Sequence, residues 1–332
     1  MRLSVLDQSP VSEGSSGGEA LRNTIELARL ADSLGYERYW VAEHHGGPML
    51  AGPSPEVLIG PIASATERIR VGSGGVMLPH YSPFKVAESF SVLCGLFPDR
   101  IDLAVGRAAG TDPITTLALQ RDRRQTAPDD FPQQLSELIA HLEDRLPADH
   151  PFKRLARLPG GAGRPELWLL GSSPQSAIWA AELGLHYSFA DFINPQGKGI
   201  ADIYRQQFED TEKNIQARVM VCVWALCADT DKEAVRLATS SQMAMRLLRQ
   251  GQLIPIPPVK KAVEFLARSG KDPAPAGRGR RMILGSPETV REGIEAAASD
   301  YGADEVMVVG ITHDHAARMR SYELIAQALQ LD

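Results

Sequence analysis

Short apolar runs rich in β-branched residues alternate along this chain with longer stretches of helical periodicity. Eight runs bounded by turn and breaker residues read as strands, at about 2–7, 37–43, 69–78, 100–106, 166–171, 185–190, 218–227 and 304–309. Helical patterns fall between most of them. From Glu19 to Leu34, the residues Leu21, Ile25, Ala28, Leu30 and Ala31 recur at helical spacing, and Gly35 follows as a C-terminal stop. Ser54-Pro55, Ser82-Pro83 and Ser173-Pro174 each pair an N-cap serine with proline at the first helical position, just after a strand. Ser286-Pro287-Glu288 is a related start, and a last helix is expected from about Asp314 to Leu329. Strand–helix alternation repeated about eight times predicts an α/β fold of the (β/α)8 TIM-barrel type rather than a doubly wound sheet.

The chain has 332 residues, more than the roughly 250 of a bare barrel. One barrel domain over 1–332 therefore needs insertions. One candidate is 108–132, polar and rich in Arg, Asp and Thr. The other, 250–281, lies between the seventh and eighth strands and carries Pro255, Pro257, Pro258, Pro273 and Pro275. It is not expected to be regular over much of its length. It reads either as a mobile lid or substrate loop or as a disordered linker. Gly160-Gly161-Ala162-Gly163 reads as a plain connection before the fifth strand.

Composition narrows the function classes. An apolar fraction of 43% supports a sizeable core, and the net charge of −6 mixes both signs along the chain. Neither a nucleic-acid partner nor a membrane surface is expected. The basic clusters Arg121-Asp122-Arg123-Arg124 and Arg278-Gly279-Arg280-Arg281 read as solvated faces. Cys94, Cys222 and Cys227 form no C-x-x-C and lie in apolar runs, as buried free thiols do. The longest apolar stretch, Met220 to Ala228, is far too short to span a bilayer. The first residues read as a strand and not as a signal peptide, so a cytoplasmic location is expected.

Candidate chemistry sits where apolar strands break into polar or glycine residues at their C-terminal ends, the catalytic side of parallel α/β folds. Val41-Ala42-Glu43-His44-His45 and Ile69 to Pro79, with Ser73-Gly74-Gly75 at its centre, are the two sharpest breaks. No G-x-G-x-x-G, phosphate loop or H-E-x-x-H is present. His313-Asp314-His315 has weak ligand spacing and reads as solvated residues, so no metal site is expected. Gly171-Ser172-Ser173-Pro174-Gln175-Ser176 joins a strand end to a helix start. It is either an ordinary serine cap or a phosphate site built from free backbone N–H groups and hydroxyls. Arg107, ending the neighbouring fourth strand, can supply the cation and favours the phosphate.

With these segments assembled, the chain resembles the luciferase-like flavin monooxygenases. The resemblance covers nearly the whole chain. It rests on Glu43-His44-His45, Val71 to Pro79, Ala87-Glu88, Arg100 to Arg107, and Ser172 to Ala181 in this order and spacing. It implies a TIM barrel binding FMN at its C-terminal mouth, the reduced flavin coming from a separate NAD(P)H:flavin reductase. It further implies a monooxygenase using O2 on a small organic substrate. Carried over by position, His44 matches the histidine beside the flavin, and His45 is expected to point the other way. Ser73, Gly74 and Gly75 fall on the strand-three bulge, where the family carries a non-prolyl cis peptide under the flavin ring. Arg107, Gly171, Ser172, Ser173 and Ser176 match the phosphate-holding positions. Gly106 stands where luciferase has a reactive cysteine. Luciferase's aldehyde and light emission are not carried over. The resemblance also implies a homodimer through the helices after strands one to three, with Glu88 in or near the contact. An F420-dependent oxidoreductase of the same superfamily and a non-catalytic flavin-binding protein stay open as alternatives.

Overall fold

In a computed structural model of the chain, eight parallel strands close on themselves. The structure describes residues 1–107, 112–120, 123–124, 129–155, 158–161, 163–195, 197–208, 216–269, 273–278 and 282–331. The strands are β1 (Arg2–Asp7), β2 (Arg38–Val41), β3 (Arg70–Met77), β4 (Ile101–Gly106), β5 (Glu166–Gly171), β6 (His186–Ala190), β7 (Val219–Cys227), β8 (Gly277–Arg278), β9 (Met282–Gly285) and β10 (Glu305–Val309). β1 to β7 follow one another around the wall, and β10 closes it by pairing with both β7 and β1. These eight are the strands expected from the sequence.

The helices are α1 (Gly17–Ser33), α2 (Pro55–Ala65), α3 (Pro83–Leu96), α4 (Pro113–Leu119), α5 (Phe131–Leu142), α6 (Pro174–Glu182), α7 (Lys198–Gln207), α8 (Asp231–Leu248), α9 (Val259–Arg268), α10 (Pro287–Tyr301) and α11 (His315–Leu329). All four serine–proline starts open helices with proline in the first turn, but only Ser173 makes the side-chain capping bond. At the other three, proline's fixed φ suffices to start the turn. None of the helices among the described residues is long and apolar enough to cross a membrane.

The stretch 250–281 is irregular over much of its described length, and 270–272 and 279–281 lie outside the described residues. It contains α9 and the two-residue β8. Pro257 and Pro258 do not break this helix; they precede it, and Pro258 is its N-cap. Ala262 and Leu266 are buried, and Ala262 packs with Met243 and Leu247 of α8. β9 was not foreseen. It pairs with the end of β7, Trp224 to Cys227, beyond the part that faces β10. A four-residue strand on an extension of the wall carries too little pattern to be read in advance. The insertion 108–132 contains α4 and the start of α5, and its stretches 108–111, 121–122 and 125–128 lie outside the described residues. Of the two basic clusters, Arg121, Asp122 and 279–281 lie outside as well, and Arg278 pairs with Asp300.

Two apolar layers result. Leu27, Ile59, Phe90, Leu135 and Ala177 fill the space between wall and helices. Leu6, Trp40, Ala104, Trp168, Met220 and Met307 fill the barrel. Strand side chains alternate between these layers because their period is two.

Beneath the inner layer, at the N-terminal ends of the strands, lies a buried ionic floor. Arg38 donates from Nη1 to Asp102 Oδ2 at 2.8 Å and from Nε to Glu305 Oε1 at 3.1 Å. Its Nη2 lies 2.9 Å from Glu166 Oε1. Arg70 holds the second Asp102 oxygen at 2.6 Å, and Arg218 reaches Glu166 at 3.0 Å. Trp40 Nε1 donates to Asp102 Oδ2 at 2.8 Å. Burial opposes the Arg38 charge, but Asp102, Glu305 and Glu166 more than offset it and raise its pKa further.

Removing one partner of such a group strands the others as uncompensated charges. Arg38→Leu is therefore expected to cost about 3–5 kcal/mol, read as a lower urea midpoint. A loss below about 1 kcal/mol, the range for exposed pairs, would show that the floor is not energetically coupled.

Candidate active site

The C-terminal ends of β3 to β6 surround a cavity of about 450 Å³. Leu6, Trp40, Cys222 and Met307 form its base. Gly74, Gly106, Arg107, Gly171, Ser172 and Ser173 stand around it, and His44 completes one side. The expected site residues thus mostly converge.

β3 is irregular here. Its register against β4 shifts between Gly74 and Val76, and the Gly74–Gly75 peptide is cis. A Cβ at Gly74 would lie 2.5 Å from Leu6 Cδ1, and one at Gly75 would lie 2.5 Å from the Ala104 carbonyl oxygen. Only glycine lets the strand approach both neighbours this closely. Gly74 lines the cavity; Gly75 is buried against β4. Ser73 requires a correction. It is fully buried, and its hydroxyl donates to Ala104 O at 2.8 Å and accepts from Ala104 N at 3.1 Å. Its side chain serves the β3–β4 seam and does not line the cavity.

β2 ends at Val41, so His44 sits in the following loop and not on the strand. Its N–H donates to Gly52 O at 3.0 Å. His44 lines the cavity, and its Nδ1 is buried without a hydrogen-bond partner among the described residues. Burial, reinforced by neighbouring His45, lowers its pKa to about 4. The imidazole is therefore neutral at neutral pH.

His45 turns aside, as expected, but not through strand alternation. Its Nε2 lies 2.7 Å from Glu43 Oε1. Glu43 was not singled out for a role by the sequence. Its buried carboxylate also accepts from Met77 N at 2.8 Å and Tyr81 Oη at 2.9 Å. It ties the His44 loop to the end of β3. A carboxylate closing an apolar run was the available signal, because a buried charge must be partnered.

On the opposite side, Ser173 caps α6 by accepting from Ser176 N at 3.4 Å. Ser176 Oγ donates to Ser173 O at 2.7 Å and meets Tyr187 Oη at 2.9 Å. A Cβ at Gly171 would lie 2.0 Å from that oxygen, so glycine is what admits the Ser176 hydroxyl. Ser176 is thereby committed to shaping the turn. Ser172 gives its carbonyl to Asn194 Nδ2 at 2.9 Å. Arg107 lies 5.5 Å above the Trp179 ring, half exposed, with Nη2 2.8 Å from Asp129 Oδ2. Arg107, Ser172, Ser173 and the first turn of α6 thus meet at one corner of the cavity, where the N–H groups of a helix start point to an anion and the Arg107 charge is paired with Asp129.

Known proteins resemble this chain over nearly its whole length. The family model described as luciferase-like monooxygenase matches residues 1–305. A luciferase-like monooxygenase of Escherichia coli K12 is 39% identical over 97% of this chain and 95% of its own. The crystal structure of apo-MsnO8 is 43% identical, covers 100% of this chain and 99% of its own, and superposes with a TM-score of 0.89. The oxygenating constituent of 3,6-diketocamphane monooxygenase from Pseudomonas putida, solved with FMN, shares the fold. Its TM-score is 0.73 at 22% identity, over 99% of this chain and 97% of its own.

The His44 environment sets a pH dependence. The unfolded chain binds a proton at this residue near pH 6.5, whereas the folded chain resists it until about 4. Its contribution to stability is therefore intact above about pH 6.5 and is lost as pH falls toward 4. That interval corresponds to about 3 kcal/mol at most. His44→Gln should reduce the loss of stability over this window and leave the share of His186, which burial likewise lowers to about 4, measured by urea unfolding at several pH values. An NMR titration placing His44 near its ordinary pKa would contradict the burial argument.

Proposed function

The chain belongs to the luciferase-like monooxygenase family, and from its mouth cavity we infer that it is an FMN-dependent monooxygenase. The observation that supports this most is one cavity with a glycine bulge and an orphaned imidazole nitrogen on one side and, on the other, an arginine beside a helix start. The three features suit a planar heterocycle carrying a phosphate. Arg107, Ser172, Ser173 and the N–H groups of α6 would hold the phosphate. The Gly74 segment would take the ring, where any side chain would collide. His44, neutral and partly desolvated, would hydrogen-bond the ring or the reacting oxygen. Ser176, Gly171 and Gly75 act as positioning residues behind these. A bound reduced flavin supplies the electrons for activating O2, and the apolar base of the cavity excludes water from that chemistry.

The substrate in this reading is a small organic molecule. No dinucleotide fingerprint is present in the sequence, which fits delivery of reduced FMN by a separate NAD(P)H:flavin reductase. Three free, buried cysteines fit a reducing, cytoplasmic setting. Titration with FMN, reduced FMN and F420, followed by absorbance and mass spectrometry, tests the cofactor. Micromolar binding of FMN and substrate-coupled O2 uptake are expected. Saturation by F420 alone would make the chain a hydride-transferring oxidoreductase. Flavin binding without coupled O2 uptake would make it a binding protein.

Arg107→Ala should weaken FMN binding by about 1.5 kcal/mol, the lower end for bonds to charged groups, because the wild-type guanidinium is half exposed and already paired. Arg107→Lys should restore only part, since an ammonium cannot make a bidentate contact. Unchanged affinity in Arg107→Ala would move the phosphate elsewhere.

A homodimer through α2 and α3 completes this reading. Val57 on α2 is 69% exposed and Leu96 on α3 is 66% exposed, although the opposite face of α3 is buried. Glu88 lies on the same helix, 3.7 Å from Lys85. Val57→Asp combined with Leu96→Glu should shift the mass measured by light scattering from dimer to monomer. A monomeric parent chain would refute the association.

A further inference from the structure

A second cavity of about 470 Å³ adjoins the first. Gln8, His44, Phe192 and Ile193 line both, so the two spaces meet at His44. Either volume is in the range that encloses a small organic ligand. A cofactor in the first leaves the second available.

The walls of this second space have a definite chemistry. The Phe192 and Trp224 rings are nearly parallel, at 7°, with centroids 5.8 Å apart. Met49 and Met245 contribute thioethers, which pack well against aromatic rings. Trp224 Nε1 is buried and has no hydrogen-bond partner among the described residues. Such a donor costs free energy until an acceptor reaches it.

The wall carries one anion, Asp112, and one cation, Arg249. His45 is engaged by Glu43 at 2.7 Å. Asp112 is committed to the start of α4, accepting from Ile114 N at 2.9 Å, Thr115 N at 3.1 Å and Thr115 Oγ1 at 2.6 Å. Arg249 is exposed and forms no ion pair among the described residues. The Asp112 oxygens are thus occupied by the α4 start, and Arg249 is the wall charge left open to a ligand, beside an apolar, aromatic space.

We propose that this second cavity binds a planar aromatic carboxylate, with its ring against the Phe192–Trp224 pair and its carboxylate at Arg249. That this ligand is the substrate rests on the flavin reading above; that it binds here does not. Calorimetric titration of the FMN-loaded protein with 2-naphthoate, 2-naphthalenemethanol and octanoate tests it. Naphthoate should bind at least tenfold more tightly than the alcohol, which lacks the charge, and than octanoate, which lacks the ring. Arg249→Gln should remove most of the advantage over the alcohol. Leu253→Trp, which fills the cavity from its exposed wall, should weaken naphthoate at least tenfold and leave FMN affinity within about twofold. Equal binding of acid and alcohol, no effect of Arg249→Gln, or displacement of FMN by naphthoate would each overturn the proposal. If FMN does not bind but naphthoate still depends on Arg249, the flavin reading fails and this site stands.

Discussion

The structure depends on one buried guanidinium. Arg38 is held among Asp102, Glu166 and Glu305, which come from β4, β5 and β10. Its own strand is β2, so one side chain links strands on opposite parts of the wall. Hydrogen bonding between neighbours fixes the order of strands but not how far the far sides stand apart. A planar cation with donors at fixed angles does fix that distance, and the desolvation cost of the charges makes any other spacing unfavourable. The inner apolar layer rests on this floor. Trp40 joins the two directly, because its ring packs in the inner layer while its N–H reaches Asp102.

Placing the ionic cluster at one end leaves the other end free to be irregular. At the mouth, β3 breaks register and His44 keeps a polar nitrogen unsatisfied. These are local departures that a well-tied barrel can carry. The same molecule therefore separates holding the shape from presenting chemistry, along the length of its strands.

Much of this was legible in advance. The eight wall strands were, because apolar β-branched runs between helical patterns leave little choice of architecture. The convergence of His44, Gly74, Arg107, Ser172 and Ser173 also followed, since all end or follow parallel strands. What failed was orientation and local detail. Ser73 lies one residue from the cavity, yet its hydroxyl is taken up by Ala104, and a bulge shifts phase in a way that sequence alternation does not reveal. The lowered pKa of His44 arises from what surrounds it in space. α9 was hidden by prolines that flank a helix instead of interrupting one, and β9 by its brevity. The ionic floor was invisible because Arg38, Asp102 and Glu305 are separated widely in the chain and look like ordinary strand-edge charges.

The pairing of Arg107 with Asp129 has a further consequence. An anion that seeks Arg107 does not meet a vacant cation; it meets a rival already attached to the same chain and therefore always present. Affinity is then set by a difference between two carboxylate- or phosphate-like partners and not by the strength of one. Such a site gives up some tightness, and in return a departing ligand is replaced at once by Asp129. In the proposed flavin reading the phosphate would have to displace Asp129, at a modest cost because both partners are exposed.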